Sequence, residues 1–197
     1  MSKNVTVAQI APSLEINGFS VDIFGTKSHG LQTPTNSLLF SSRIKGWFDN
    51  YNFVIVPVDY SQTPIRRWRI ELIGNSIANT AIITNGAYCG KYLDGREPDL
   101  LSENRPALGF LYFHFIMALV RIRDIDPEGW KGVWARYLTQ KPFPTPGNYV
   151  LKHLLITINQ HFQTTDMEFL EAWISGLRFE RPITPSKEEA ARVAKRL

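Results

Sequence analysis

Histidine side chains, which transfer protons and bind metals near neutral pH, occur four times in this sequence. His29 lies in a stretch with several glycines and is a candidate catalytic residue. His114 lies in a strongly apolar segment, where a hydrogen-bonded core histidine is the expected role. His153 and His161 are eight positions apart, whereas two histidine ligands of one metal ion on a helix are normally closer. The spacing therefore predicts no metal site built from histidines alone.

Carboxylates, which bind Mg²⁺ and related cations, form a loose run between residues 94 and 103. The members of this acidic run are Asp94, Glu97, Asp99 and Glu103. Two interpretations stay open. The run either contributes to a divalent-metal site or is a solvated loop, which is the ordinary role of such a charge run.

A basic cluster interleaves with an aromatic residue in the sequence Arg66, Arg67, Trp68, Arg69. On a strand, Arg67 and Arg69 would point to one side, and Arg66 and Trp68 to the other. With Arg43 and Lys45 added, the cluster is a candidate phosphate-binding patch for a nucleic acid. The alternative is a solvated sheet face.

The composition predicts a globular protein of ordinary polarity. The chain has 197 residues, 44% apolar and 20% charged, with a net charge of +4 and a pI near 9.2, which permits binding to a polyanion without requiring it. Cys89 is the only cysteine, so no intrachain disulfide and no cysteine-based zinc site are expected. The N-terminus lacks signal-peptide form, and the apolar run 108–120 is too short to span a bilayer. We therefore expect a soluble, cytoplasmic protein that does not bind membranes.

The elements that would position these residues are mostly short strands in the first half. Alternating or apolar runs predict strands over 5–11, 37–40, 53–58 and 68–73, the last two forming a hairpin. Ser41 or Ser42 is expected to cap a short helix that ends near Asp49. Residues 13–35 read as a long loop with an extended piece at 19–24. Two further short β segments are expected at 81–84 and 87–92.

The second half is predicted to be helical. A helix over 105–123 has Pro106 in its first turn and apolar residues on all sides, so it should be the central buried helix. Further helices are expected over 128–138, 148–162, 167–175 and 187–197, with a rigid proline connector at 141–147. The predicted fold class is α+β. It comprises a β-rich region over 1–104, a helical region over 105–181 that shares its core, and a C-terminal tail over 182–197.

Three short motifs between residues 7 and 49 resemble those of the HNH endonucleases. In one branch of that family the motifs read roughly AHIIP, NGLLL and DIHxLFD, and here they stand as AQIAP from Ala8, NSLLF from Asn36 and RIKGWFD from Arg43. A trailing pattern, formed by residues 92–96 with Arg105, Pro106, Leu111 and His114, is similar to that branch as well. The resemblance spans about residues 7–115 and implies a strand–strand–helix metal-binding finger.

The departures from the family pattern fall on the catalytic positions. The resemblance implies that Gln9 stands where the family has the general base, and that Lys45 stands where it has a metal ligand, while Asn36 is retained. An amide cannot take a proton near neutral pH, and a protonated lysine repels a metal ion. Lysine can still contact a phosphate as a point charge. The resemblance therefore implies an inactive nuclease relative with no cofactor.

The sequence is compatible with three functional classes. The first is a catalytically degenerate HNH-like protein that binds DNA, RNA or a protein partner. The second is an active metal-dependent endonuclease with a rearranged site that uses His29 and the loop from Asp94 to Asp99. The third is a structural assembly protein, suggested by its five Trp, seven Tyr and 12 Phe. Whether the protein is an enzyme is left open, and a divalent metal is expected only in the second class.

Overall fold

The computed structural model describes residues 5–11, 33–62, 64–82, 89–100, 105–140 and 142–143. In this part the chain is an α+β protein. Its strands are β1 (Val5–Gln9), β2 (Ser37–Ser41), β3 (Phe53–Pro57) and β4 (Trp68–Leu72), and its helices are α1 (Ser42–Asp49), α2 (Leu108–Val120), α3 (Ile122–Ile125) and α4 (Trp130–Thr139). The predicted positions of these strands and of α1 are confirmed to within one or two residues. Two-residue differences at ends are ordinary, because helix and strand ends fray.

The strands form two separate antiparallel pairs. β1 pairs with β2, with Val7 opposite Leu39, and β3 pairs with β4, with Ile55 opposite Ile70. The predicted hairpin of the third and fourth strands is thus confirmed. Every residue of β3 is buried, whereas β4 alternates at its start, with Trp68 and Ile70 buried. This pattern places β3 inside the molecule and leaves one face of β4 toward solvent.

Helix α2 is the centre of the core, as its apolar sequence predicts. Its residues 110–119 are all buried, and the helix packs against β3. One hydrophobic cluster joins side chains from both strand pairs, α1, α2 and α4. Burying a large apolar side chain stabilises a fold by about 1.5–3 kcal/mol relative to leaving it exposed. The described strands and helices α1, α2 and α4 thus share one core.

The start of α2 differs from the prediction. We expected the helix to begin at Arg105-Pro106, but it begins at Leu108, and Ala107 has an extended backbone. The Ala107 N–H donates to the Thr35 carbonyl at 2.9 Å. This bond ties the extended segment before α2 to the turn before β2. The predicted single helix to residue 123 is also wrong, because Arg121 separates α2 from α3.

Two other predictions are corrected. Of the β segments expected at 81–84 and 87–92, residues 83–88 lie outside the described part of the chain. The described residues of these segments form a bridge between Ala81 and Cys89, and Gly90–Tyr92 forms a 3-10 turn where a strand was expected. The helix expected from residue 128 begins at Trp130. The extended piece at 19–24, the later helices and the C-terminal tail lie outside the described residues. Among the described helices, none is long and apolar enough to cross a membrane.

Candidate functional site

Asn36 joins the end of β1 to the start of β2. Its side chain is fully buried. The amide Oδ1 accepts a hydrogen bond from the Ala11 N–H at 2.8 Å, and Nδ2 donates to the Ala11 carbonyl at 2.8 Å. The Asn36 carbonyl also accepts from the Ile10 N–H at 3.0 Å. Asn36 thus satisfies both backbone polar groups of the buried Ala11 and fixes where the chain leaves β1.

Helix α1 is held against the β1–β2 pair by aromatic rings. Phe48 on α1 is fully buried, and its ring centroid lies 5.3 Å from that of Phe40 on β2 and 5.5 Å from that of Phe53 on β3. Ser41 precedes the helix with an extended backbone, as an N-cap residue should, although its side chain makes no capping bond. β1, β2 and α1 thus form a β–β–α unit, and the face of α1 that carries Phe48 packs against the strands.

A cavity of about 480 Å³ lies where this unit meets α2. Its lining brings together residues from β1, α1, the turn after α1 and α2, namely Val7, Gln9, Ile10, Lys45, Asp49, Tyr51 and His114. Two of the three motif positions, Gln9 and Lys45, therefore share one pocket. The third, Asn36, is not part of the lining. It bonds to Ala11 and to the N–H of Ile10, and Ile10 lines the pocket. We refer to this cavity as the finger pocket.

The two charged groups of the finger pocket are paired with each other. The Lys45 ammonium forms an ion pair with the Asp49 carboxylate, four residues later on α1. Both side chains are partly exposed, with 33% and 40% of their surface accessible. An ion pair this exposed contributes little to stability, but it cancels the charge that either group would present to a ligand. Lys45 is therefore a compensated cation in this structure.

His114 closes the buried side of the finger pocket as a neutral core histidine. Its ring stacks on Phe48 with centroids 3.8 Å apart, and Nε2 lies 3.0 Å from the Phe48 carbonyl oxygen. Because a carbonyl can only accept, Nε2 carries the proton. Among the described residues, Nδ1 has no hydrogen-bond partner. Burial lowers the pKa of His114 to about 4, so the ring is neutral at pH 7, and the predicted core role is confirmed.

The low pKa of His114 makes stability fall in acid. The pKa of His114 is about 4 in the folded state and 6.5 when the group is unperturbed. As the pH falls, the unfolded chain therefore binds a proton at this histidine before the folded chain does. The stabilisation is complete above pH 6.5 and is lost between pH 6.5 and pH 4, to a total of about 3 kcal/mol. Urea unfolding at a series of pH values measures it. The His114→Phe variant should lack this part of the slope, and an unchanged slope in that variant would contradict the assignment.

Tyr51 takes a backbone conformation that usually needs glycine. Its φ is 60°, in the left-handed region. The Tyr51 N–H donates to the Phe48 carbonyl and the Asn52 N–H to the Trp47 carbonyl, which is the Schellman pattern at a helix C-terminus. Burial raises the pKa of the Tyr51 hydroxyl. The positive Arg121 guanidinium, which lies over the ring, lowers this pKa by a smaller amount. A buried aromatic in this strained position fixes the wall of the finger pocket.

The basic residues predicted to form a phosphate patch are largely engaged. Arg67 forms a two-point ion pair with Glu97, and Arg69 Nε donates to Glu71 at 2.7 Å. Arg43 donates to the Ala81 carbonyl, while Arg66 is exposed just before β4 begins. The prediction that residues 66–69 all lie on a strand is wrong, because β4 begins at Trp68. Trp68 is buried and so cannot stack on a base, and Arg66 lies outside the strand.

Two members of the acidic run are engaged away from the finger pocket. Asp94 accepts a hydrogen bond from the Leu72 N–H at 2.9 Å, and Glu97 pairs with Arg67. Glu103 and His29 lie outside the described residues. Within the described ranges, no group of three or more His, Cys, Asp or Glu side chains is placed to hold a metal ion.

Five of the seven pocket residues were not assigned to the site from the sequence, and three of these, Asp49, Tyr51 and His114, carry polar side chains. Asp49 was signalled by its spacing, because a lysine and an aspartate four positions apart on a helix face each other. Tyr51 carried no local signal, since nothing in the sequence marks a tyrosine for a positive φ. His114 was placed in the core, but its approach to Phe48 across 66 positions depends on tertiary packing.

No protein-family model, no curated protein and no solved structure matches this chain.

Proposed function

We propose that β1, β2 and α1 form a degenerate HNH-type finger and that the protein is a non-catalytic binding protein. One observation carries the proposal. A strand pair clamped by a buried asparagine leads directly into a short helix, and Gln9 on β1 and Lys45 on α1 line one pocket. The HNH resemblance implies this strand–strand–helix order and that Gln9, Asn36 and Lys45 meet at one site. Gln9 and Lys45 do so, whereas Asn36 is outside the lining and bonds to Ala11 and to the Ile10 N–H.

The chemistry of the finger pocket supports binding without catalysis. Gln9 offers no basic atom, Lys45 is paired with Asp49, and His114 is neutral with its Nε2 proton directed at a carbonyl. Burial lowers the pKa of His114 to about 4, so its unprotonated Nδ1 is a weak base near neutral pH. No group of three or more metal-ligand side chains lies among the described residues to hold an activating metal. The pocket has no net charge from its lysine and aspartate. It therefore suits a polar, uncharged contact better than a phosphate cluster.

Among binding partners, a protein is favoured over a nucleic acid. Lys45, Arg67 and Arg69, three of the five proposed phosphate contacts, have carboxylate partners. A nucleic acid would have to displace those partners before it gained the electrostatic contribution of the same cations. Among the described residues, Arg43 and Arg66 have no carboxylate partner. Binding to DNA or RNA is therefore expected to be weak, with a shallow dependence on salt.

A cleavage assay separates this proposal from the active alternative. We expect no nicking of supercoiled plasmid DNA with Mg²⁺, Mn²⁺, Ni²⁺ or Zn²⁺, because the imidazole of the finger pocket is a weak base and the described residues hold no group of three metal-ligand side chains. The measurement is agarose-gel conversion of supercoiled to open-circular plasmid over a long incubation. Metal-dependent nicking that disappears in the His29→Ala variant would contradict the proposal and establish the rearranged-site nuclease. The His153→Ala variant is the matched control for loss of a histidine elsewhere.

A further inference from the structure

The outer edge of β1 carries backbone groups that do not bond to β2. The Ile10 N–H bonds to the Asn36 carbonyl, and the register places Ala8 opposite Leu38 and Thr6 opposite Phe40. In an antiparallel pair, bonded and non-bonded positions alternate. The N–H and C=O groups of Val5, Val7 and Gln9 therefore point away from β2. Within the described ranges, none of them makes a backbone hydrogen bond outside the β1–β2 pair.

The same strand presents an apolar face to solvent. Val5 and Val7 on β1 are each 57% exposed, and Leu39, directly opposite Val7 on β2, is 58% exposed. Side chains at alternate positions share a face, so these three lie together. Over the described part of the chain, only five large apolar side chains are exposed, and three of them form this patch.

β1 also lacks the features by which proteins protect an exposed edge. The strand reads VTVAQ and holds no lysine, no other charged residue and no proline. An unprotected, apolar edge with free N–H and C=O groups is a template for another strand. Its free groups specify the occupant as an extended β-strand, because only a strand pairs with them in register.

We propose that β1 is the surface through which two copies of this chain associate, edge to edge, into a continuous four-stranded sheet. The strand is complementary to itself when the copies are antiparallel and related by a two-fold axis at Val7. Val7 then exchanges both backbone bonds with Val7 of the second copy, and Val5 lies opposite Gln9. No charge opposes a like charge across the axis, and the apolar faces of the two copies become one surface. This inference does not depend on the HNH-type assignment.

Charge substitutions at the axis test the proposal. Sedimentation velocity of the full-length chain, over a concentration series that reaches high micromolar levels, should show a monomer–dimer equilibrium. The Val7→Lys and Val7→Glu variants each place two like charges opposite one another, so each should weaken the dimer by about tenfold or more. An equimolar mixture of the two variants should recover the dimer, because the lysine of one chain then faces the glutamate of the other.

Leu39→Lys is the matched control. Leu39 has the same exposure and lies on the same face as Val7, but in the proposed dimer it lies about 14 Å from its counterpart, three strand spacings of about 4.8 Å. Its substitution should leave most of the dimer intact. The proposal is overturned by a wild-type chain that stays monomeric, by a dimer that survives both Val7 variants, or by a mixture that associates no better than either variant alone. Loss of the dimer in Leu39→Lys to the same extent would also overturn it, in favour of face-to-face packing.

Discussion

The Asn36→Ala variant is expected to lose about 2–6 kcal/mol of unfolding free energy, the cost of leaving two buried backbone groups without partners at about 1–3 kcal/mol each. The Ala11 N–H and carbonyl both bond to the Asn36 amide, and both residues are fully buried. Alanine removes the amide, and water reaches neither backbone group without opening the β1–β2 pair. Urea denaturation followed by circular dichroism measures the loss.

Asn50→Ala is the matched control for that substitution. Asn50 follows α1 and also donates through Nδ2 to a carbonyl, that of Gly46, but in an exposed position. Water replaces the lost bond there, so the change should stay within about 0.5 kcal/mol. An Asn36→Ala variant as stable as Asn50→Ala would show that the asparagine does not clamp the two strands.

The local elements of the fold could be predicted from the sequence because their signals are local. Alternation in residues 68–72, the apolar run 53–57 and the serines before α1 each fix an element by its own residues. The start of α2 could not be predicted in this way. Pro106 is acceptable in a first helical turn, but Ala107 is extended and its N–H bonds to the Thr35 carbonyl, 72 positions away, a tertiary contact that no local pattern indicates.

The site was predictable in part for the same reason. Gln9 and Lys45 were identified as a pair only through the HNH resemblance, and the fold brings both to the finger pocket. The ion pairs of Arg67 with Glu97 and of Lys45 with Asp49 give two residues of the predicted phosphate patch a carboxylate partner. The first of these pairs joins residues 30 positions apart, and no sequence pattern indicates it.

If the β1–β2–α1 unit is the proposed HNH-type finger, placing histidines at positions 9 and 45 is expected to create a divalent-metal site. In a Gln9→His, Lys45→His double variant, two imidazoles would line the finger pocket, and Asp49 would be released from its ion pair to supply a carboxylate. Two histidines and a carboxylate are an effective ligand set for Zn²⁺ and Ni²⁺. Each single variant gains only one imidazole and should bind metal weakly. Metal binding alone does not ensure DNA cleavage, because the residues around the new ligands must also orient them.

The double variant also locates the metal. Adding Asp49→Asn to it removes the carboxylate charge with little change in shape, so the affinity for metal should fall by about 10–100-fold if that side chain is a ligand. Glu97→Gln, which alters a carboxylate outside the pocket that pairs with Arg67, is the matched control and should leave the affinity unchanged.

The most direct test of the degenerate-site assignment is the melting temperature of the double variant with and without metal. At free Zn²⁺ or Ni²⁺ about 100 times the dissociation constant, binding contributes about 2.7 kcal/mol, which raises the melting temperature of a chain of this size by about 5–10 °C. The wild type, with Gln9 and Lys45 in place, should show no such rise. A double variant that keeps the wild-type circular dichroism spectrum but gains no stability from any divalent ion would contradict the assignment of the β1–β2–α1 unit as an HNH-type finger.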